Sequence, residues 1–223
     1  MKKYFLTVLL TAAVLAGCEG AQNSQTETTT AAIETTAAEM EESTVPAESE
    51  SEAETADASS EKPEAGTWEG SVYTDSLAGI HYTLPEGWTA ADDAMIESAF
   101  GSPETDEGIY TMMALNASTG ENVIMMYENL DETAGILAGI TTEASYFDVI
   151  EKQLGEQGLT VQGEPQEYSI GENTYLCEAA SMESQGMTIY QYYMIRKIDS
   201  HMFCIIFSMQ EGSTMEGCLA TLS

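Results

Sequence analysis

The pattern of apolar and polar residues divides the chain into three parts. Residues 4–15 form an apolar run, residues 18–66 contain almost no large apolar side chains, and residues 67–223 show repeated apolar periodicities. Only the third part can bury enough surface to offset the entropy of ordering. We therefore expect a targeting segment at 1–17, a disordered acidic tether rich in Thr, Glu, Ala and Ser at 18–66, and a single folded domain at 67–223.

Alternating apolar residues predict the strands of this domain. In residues 80–84, apolar side chains alternate with polar ones, and a turn over 85–87 ends this predicted strand. Two Met-rich runs, at 109–116 and 122–129, flank a turn and predict a β-hairpin. The later runs that predict strands are 159–162, 166–170, 174–183, 187–198 and 202–209.

Helical periodicity appears in three places. A short helix is expected over 92–100 and a longer one over 142–158, with one apolar face. Ser213 and Glu216 form a capping-box pattern before a final helix. The apolar face of the longer helix consists of Tyr146, Phe147, Ile150 and Leu154. Antiparallel strands with a few helices predict an α+β fold, in which helices pack on an antiparallel sheet.

Residues 15–18 read LAGC and follow a basic start and an apolar run too short to span a bilayer. This stretch resembles the lipobox of bacterial lipoproteins. The resemblance implies that residues 1–17 are a lipoprotein signal peptide and that Cys18 becomes the lipidated first residue of the mature chain. Two acyl chains, palmitate among them, would anchor the protein to the cell membrane on its extracytoplasmic side.

The opening of the domain resembles the PsbP-like fold. The resemblance rests on Tyr73, the stretch GIHYTLPEGW at 79–88, the hairpin, the middle helix and the C-terminal strands with a helix. It implies a PsbP-like α/β sandwich and a non-enzymatic accessory role in binding larger assemblies. No functional residue of that family transfers to a position in this chain.

The chain is strongly acidic, with a net charge of -32. Residues 67–223 alone hold 25 acidic residues against three basic ones, so the acidity is not confined to the tether. Such a surface repels phosphate backbones and anionic lipids, which argues against nucleic-acid binding. It favours cationic or neutral partners or divalent ions, or serves solubility alone.

The chain carries no sequence motif typical of a catalytic, nucleotide or metal site. His81 and His201 are the two histidines, and neither stands in such a motif. Two acidic clusters lack the spacing of an EF-hand loop. They are Glu104, Asp106 and Glu107, and Glu128, Asp131 and Glu132. We therefore predict no catalytic residue, no metal and no cofactor.

Three cysteines lie in the domain, an odd number for an exported protein. A simple meander puts Cys177 and Cys204 two strands apart, about 9.6 Å, which is beyond the reach of a disulfide. Cys218 could meet one of them only if the last helix covers their face. We expect three buried free thiols.

The same meander assigns side chains to the two faces of the sheet. The face expected to be core collects Leu176, Ala180, Met182, Met187, Ile189, Tyr193, Ile195, Phe203, Ile205 and Phe207. The opposite, tyrosine-rich face collects Tyr175, Cys177, Ser181, Thr188, Tyr190, Tyr192, Met194, Arg196, Cys204 and Ser208. The second face is either covered by another layer or open as a binding platform. Our hypothesis is that Tyr190, Tyr192 and Arg196 contact a partner or a small ligand.

These features favour a lipid-anchored extracytoplasmic binding or accessory module, with an unknown protein or small-molecule partner. The sequence favours a non-catalytic protein over an enzyme. Two alternatives stay open. One is an envelope-acting enzyme that uses acidic residues, and the other is a structural spacer or surface antigen.

Overall fold

The residues that the computed structural model describes are 62–106, 108–130, 140–184 and 186–223. The predicted signal peptide, the lipidation site Cys18 and most of the predicted tether lie outside them. Glu107, Asp131 and Glu132 of the acidic clusters also lie outside them. The division of the chain into three parts therefore stays a prediction.

Antiparallel strands form two sheets in the described residues. The smaller sheet consists, in order, of β1 (Thr67–Glu69), β2 (Val72–Asp75) and β3 (Ile80–Thr83). The larger sheet contains β4 (Thr89–Ala90), β5 (Glu104–Thr105), β6 (Gly108–Leu115), β7 (Asn122–Asn129), β8 (Thr160–Val161), β9 (Gln166–Ile170), β10 (Asn173–Ser184), β11 (Met187–Ile198) and β12 (His201–Gln210). Its order is β4-β6-β7-β12-β11-β10-β8, with β5 beside β6 and β9 beside β10. The predicted hairpin and meander are both present.

The helices are α1 (Asp93–Phe100), α2 (Glu143–Glu156) and α3 (Met215–Leu219). A capping box starts α2, in which the Thr142 hydroxyl accepts from the backbone N–H of Ser145 at 3.2 Å. The capping box predicted from Ser213 is wrong by one residue. Thr214 is the N-cap of α3, and its hydroxyl accepts from the N–H of Gly217 at 3.2 Å. With these helices on an antiparallel sheet, the predicted α+β fold class is confirmed.

Both faces of the larger sheet are buried. Helices α1 and α2 pack on the face that we call the helix face, which carries Tyr193, Ile195, Cys204 and Ile206. The smaller sheet and α3 pack on the other face, which we call the small-sheet face and which carries Tyr192, Met194, Phe203 and Ile205. The tyrosine-rich face, whose state the sequence left open, is therefore covered.

The predicted faces of β12 are inverted. The turn before this strand has two residues, because Ile198 pairs with His201. The sequence suggested a turn of three residues, and a shift of one residue moves every side chain of a strand to the other face. Phe203, Ile205 and Phe207 therefore lie with Tyr192 rather than with Tyr193.

The three cysteines are free and buried, which confirms the expected thiols. Cys177 and Cys218 belong to the core of the small-sheet face, whereas Cys204 belongs to that of the helix face. Cys177 and Cys204 are two strands apart as expected, but the sheet itself also separates their side chains.

Candidate ligand-binding cleft

A cleft of about 920 Å³ opens to solvent beside the ends of β6, β7 and β12. Its lining includes Lys62, Glu104, Asp106, Ile109, Asn129 and His201. Strand pairing brings these residues together, because Glu104 pairs with Ile109 and Asn129 with His201. The cleft is thus built from the ends of adjacent strands and from the residues that precede β1.

An ion pair closes one side of the cleft. The Lys62 ammonium lies 2.6 Å from Oε1 of Glu104, and this contact raises the pKa of Lys62. The side chains are 74% and 54% exposed, so water screens their attraction. The pair therefore contributes little to the stability of the fold.

From His201 in the lining, side-chain contacts lead into the protein interior. The ring of His201 meets that of Tyr127 edge-on, with 6.4 Å between centroids. The Tyr127 hydroxyl donates to Oδ1 of Asp75 at 2.8 Å, and the backbone N–H of Ala78 donates to the same oxygen at 2.9 Å. Asp75 is 1% exposed. Burial raises the pKa of Asp75, whereas these two donors and the charge of Arg196 lower it.

Arg196 lies over the ring of Tyr175, with its guanidinium carbon 5.5 Å from the ring centroid. Within the described ranges, Nη1 of Arg196, the hydroxyl of Tyr175 and Oδ2 of Asp75 have no hydrogen-bond partner. Arg196 therefore neutralises part of the Asp75 charge at a distance rather than through a direct ion pair.

The three residues predicted to bind a ligand occupy two places. Tyr190 and Tyr192 stack with centroids 6.4 Å apart, and the Tyr192 hydroxyl donates to the carbonyl oxygen of Ser213 at 3.0 Å. Tyr192 is 8% exposed and lies in the core of the small-sheet face. Arg196 is four residues further along β11, about 13 Å away at the rise of a strand. The cleft uses none of the three, and their role in binding stays a prediction.

Two buried carboxyl groups, those of Glu128 and Glu178, lie on the helix face. The Tyr146 hydroxyl donates to Oε2 of the buried Glu128 at 2.7 Å and lies 3.5 Å from Sγ of Cys204. On β10, the carboxyl group of Glu178 is buried, and within the described ranges neither of its oxygens has a hydrogen-bond partner. Burial, followed by the charge of Glu151, raises the pKa of Glu178 to about 8.

Sequence reasoning missed Lys62, Asp75 and Glu178. For Glu178 the signal was present, because it stands at a core-facing position between Leu176 and Ala180. A charged residue at such a position indicates a buried polar contact. For Lys62 and Asp75 the chain offered no local signal, since their partners are 42 and 52 residues away.

None of the helices in the described ranges is long and apolar enough to cross a membrane. Over the same ranges, no group of three or more His, Cys, Asp or Glu side chains is arranged to hold a metal ion.

Comparison with known proteins gives distant structural likenesses. No family model matches the chain, and no curated protein does. A protein from Bacteroides thetaiotaomicron VPI-5482 has a TM-score of 0.37 and 14% identity, over 66% of this chain and 45% of that one. The Ran-binding protein Mog1p of Saccharomyces cerevisiae has a TM-score of 0.36 and 12% identity, over 61% and 74%. LpqN of Mycobacterium tuberculosis, involved in cell envelope biogenesis, has a TM-score of 0.34 and 11% identity, over 64% and 75%.

This chain thus spans less than half the length of the Bacteroides protein. At TM-scores below 0.5, the three likenesses assign no function. The fold class rests on the strands and helices described above, and the PsbP-like assignment stays a prediction.

Proposed function

We propose that this protein is a lipid-anchored accessory module that binds a partner without catalysis, on the extracytoplasmic side of a bacterial membrane. The observation that carries the binding role is the open cleft, which gathers charged, amide, imidazole and apolar groups from separate strands. The LAGC stretch that ends at Cys18 supports the anchor and its location.

The positions of the perturbed carboxyl groups favour binding over catalysis. A catalytic acid or base is expected inside a cleft, with its pKa moved toward the working pH. Asp75 and Glu178 have raised pKa values, but neither is among the residues that line the cleft. Both are buried in the cores on the two faces of the sheet.

The anchor is tested by replacing Cys18 with Ala in the full chain. Membrane and soluble fractions are then compared on immunoblots. We expect the variant to leave the membrane fraction, because the lipid-bearing thiol is lost. An unchanged membrane fraction would refute the lipid anchor.

The cleft is tested by crosslinking the full chain in native membranes and capturing what it binds. Ser102 lies in the lining, so Ser102→Trp places a bulky ring there. Ser169→Trp is the matched control, because Ser169 is exposed on β9 at the opposite edge of the sheet. We expect the wild type and the control to recover the same partner, and Ser102→Trp to reduce its recovery at least about tenfold. Equal recovery by the two variants would refute binding through the cleft.

A further inference from the structure

We propose that the cleft recognises a basic side chain of a partner polypeptide, and that Lys62 occupies that position when no partner is bound. This inference rests on the binding role proposed for the cleft and adds the chemistry of the partner.

An ion pair within the chain places a cationic side chain in the cleft. The Lys62 ammonium lies 2.6 Å from a carboxylate oxygen of Glu104 within the cleft lining. The charge of Glu64 also acts on this ammonium, and the carboxylate of Asp106 belongs to the same lining. An ammonium or guanidinium group at this place therefore has Glu104 as its direct partner and Glu64 as a second source of negative charge.

The charge of the surroundings selects a cation. Residues 67–223 carry 25 acidic and three basic residues, so the negative field of the domain attracts basic groups and repels acidic ones. Lys62 is the single basic residue between Cys18 and Gly66. The one cationic side chain of that stretch is therefore the one that lies in the cleft.

The form of the cleft favours a polypeptide over a small molecule. Small-molecule sites enclose most of the ligand and are lined mainly by apolar groups. This cleft opens to solvent, and Ser102, Thr105, Asn129 and Ser200 contribute to its lining. Lys62 and Pro63 are consecutive residues of the irregular segment before β1, and they already form part of the cleft lining.

The Lys62 ion pair is well suited to displacement. Exposed ion pairs are weak, because water screens them and holding two long side chains in place costs entropy. Lys62 nevertheless competes from within the same molecule, which gives it a high effective concentration. Its removal should therefore strengthen the binding of an external basic group, whereas removal of the Glu104 charge should weaken it.

The experiment titrates the full chain with three probes and follows the titration by NMR. The probes are the peptide acetyl-Gly-Lys-Pro-Gly-amide, the same peptide with Gln in place of Lys, and spermidine. We expect the wild type to bind the Lys peptide and not the Gln peptide. Lys62→Gln should raise the affinity for the Lys peptide about two- to fivefold, and Glu104→Gln should lower it by a similar factor. Glu167→Gln is the matched control and should change nothing, because Glu167 is exposed on β9 at the far edge of the sheet.

Three results would overturn the proposal. They are an affinity unchanged by Lys62→Gln, a Glu104→Gln variant that binds as well as Glu167→Gln, and equal binding of the Lys and Gln peptides. If spermidine bound more than about tenfold tighter than the Lys peptide, the ligand would be a free amine and the proposal of a polypeptide would be wrong. If Glu104→Gln still captures the membrane partner that Ser102→Trp loses, recognition of a basic side chain is refuted. The proposal that the cleft binds a partner then still holds.

Discussion

The two faces of the larger sheet both bury carboxyl groups, and they surround Asp75 and Glu178 differently. On the small-sheet face, Asp75 is 1% exposed, accepts two hydrogen bonds from neutral donors and feels the positive charge of Arg196. On the helix face, Glu178 is 2% exposed and faces Glu151, with the charge of Glu164 also acting on it.

This difference shows that burial alone does not decide the charge of a carboxyl group. Burial raises the pKa of both groups, since it removes water from the charged form. The neighbours then act in opposite directions. The groups around Asp75 lower the pKa of Asp75. The groups around Glu178 raise the pKa of Glu178 further, to about 8. The helix face should therefore be the more pH-sensitive of the two.

The largest expected effect tests whether the small-sheet face is closed. Tyr192→Ser removes a ring that is 8% exposed, together with its hydrogen bond to Ser213. We expect the free energy of unfolding of the full chain to fall by about 3 kcal/mol in urea titrations. Tyr190→Ser should cost about 1 kcal/mol, because Tyr190 is partly exposed and loses mainly its stacking on Tyr192. If Tyr192→Ser unfolded like the wild type but lost its ligand, the face would be an open platform after all.

The second prediction concerns the pH dependence of the helix face. The pKa of Glu178 rises from an ordinary 4.5 to about 8 in the folded protein. Between these values the folded state binds more protons than the unfolded state, so Glu178 makes the protein less stable as the pH rises through this window. Glu178→Gln should remove this slope and raise the free energy of unfolding at pH 9 by about 1 to 3 kcal/mol. Urea titrations at several pH values measure both effects.

Glu167→Gln is the control for this prediction, because it removes an exposed carboxyl group from the neighbouring strand β9. It should leave the slope unchanged. A Glu178→Gln variant with the same slope as the wild type would show that Glu178 does not set the pH dependence.

The smallest expected effect tests the donors around Asp75. Tyr127→Phe removes the O–H that donates to Asp75 at 2.8 Å and should cost about 1 kcal/mol at pH 7. Loss of this donor raises the pKa of Asp75 in the folded state, so the cost should grow as the pH rises through that pKa and nearly vanish at pH 3. Thermal unfolding at both pH values gives the comparison. Tyr168→Phe, whose hydroxyl has a partner 3.4 Å away at an exposed place, should cost little at either pH. An equal cost of Tyr127→Phe at pH 3 and pH 7 would contradict the role of the Asp75 charge.

The long elements of the fold could be predicted from local patterns. The expected hairpin and the expected meander are β6 and β7, and β10 to β12. The four residues predicted as the apolar face of the middle helix are the buried residues of α2. The predictions hold here because strand and helix periods place successive side chains on fixed faces.

The predictions failed where a single residue sets the register of a strand, or where the contact is made with a residue distant in the sequence. The two-residue turn after Ile198 inverted the faces of β12. The short strands β1, β4 and β5 carry too few residues for a period to show, so only tertiary pairing defines them. The cleft was missed for the same reason, since Lys62 meets Glu104 across 42 residues of chain.

By itself, the sequence determined the LAGC stretch, the acidity of the chain, the α+β class and the approximate positions of its long strands. These are local properties, set by composition or by the period of side chains along a backbone. The tertiary structure alone decided which side of the sheet each residue faces, which carboxyl groups share a site, and where strand ends and Lys62 enclose a cleft. Those outcomes depend on register and on contacts between distant segments, and a slip of a single residue is enough to change them.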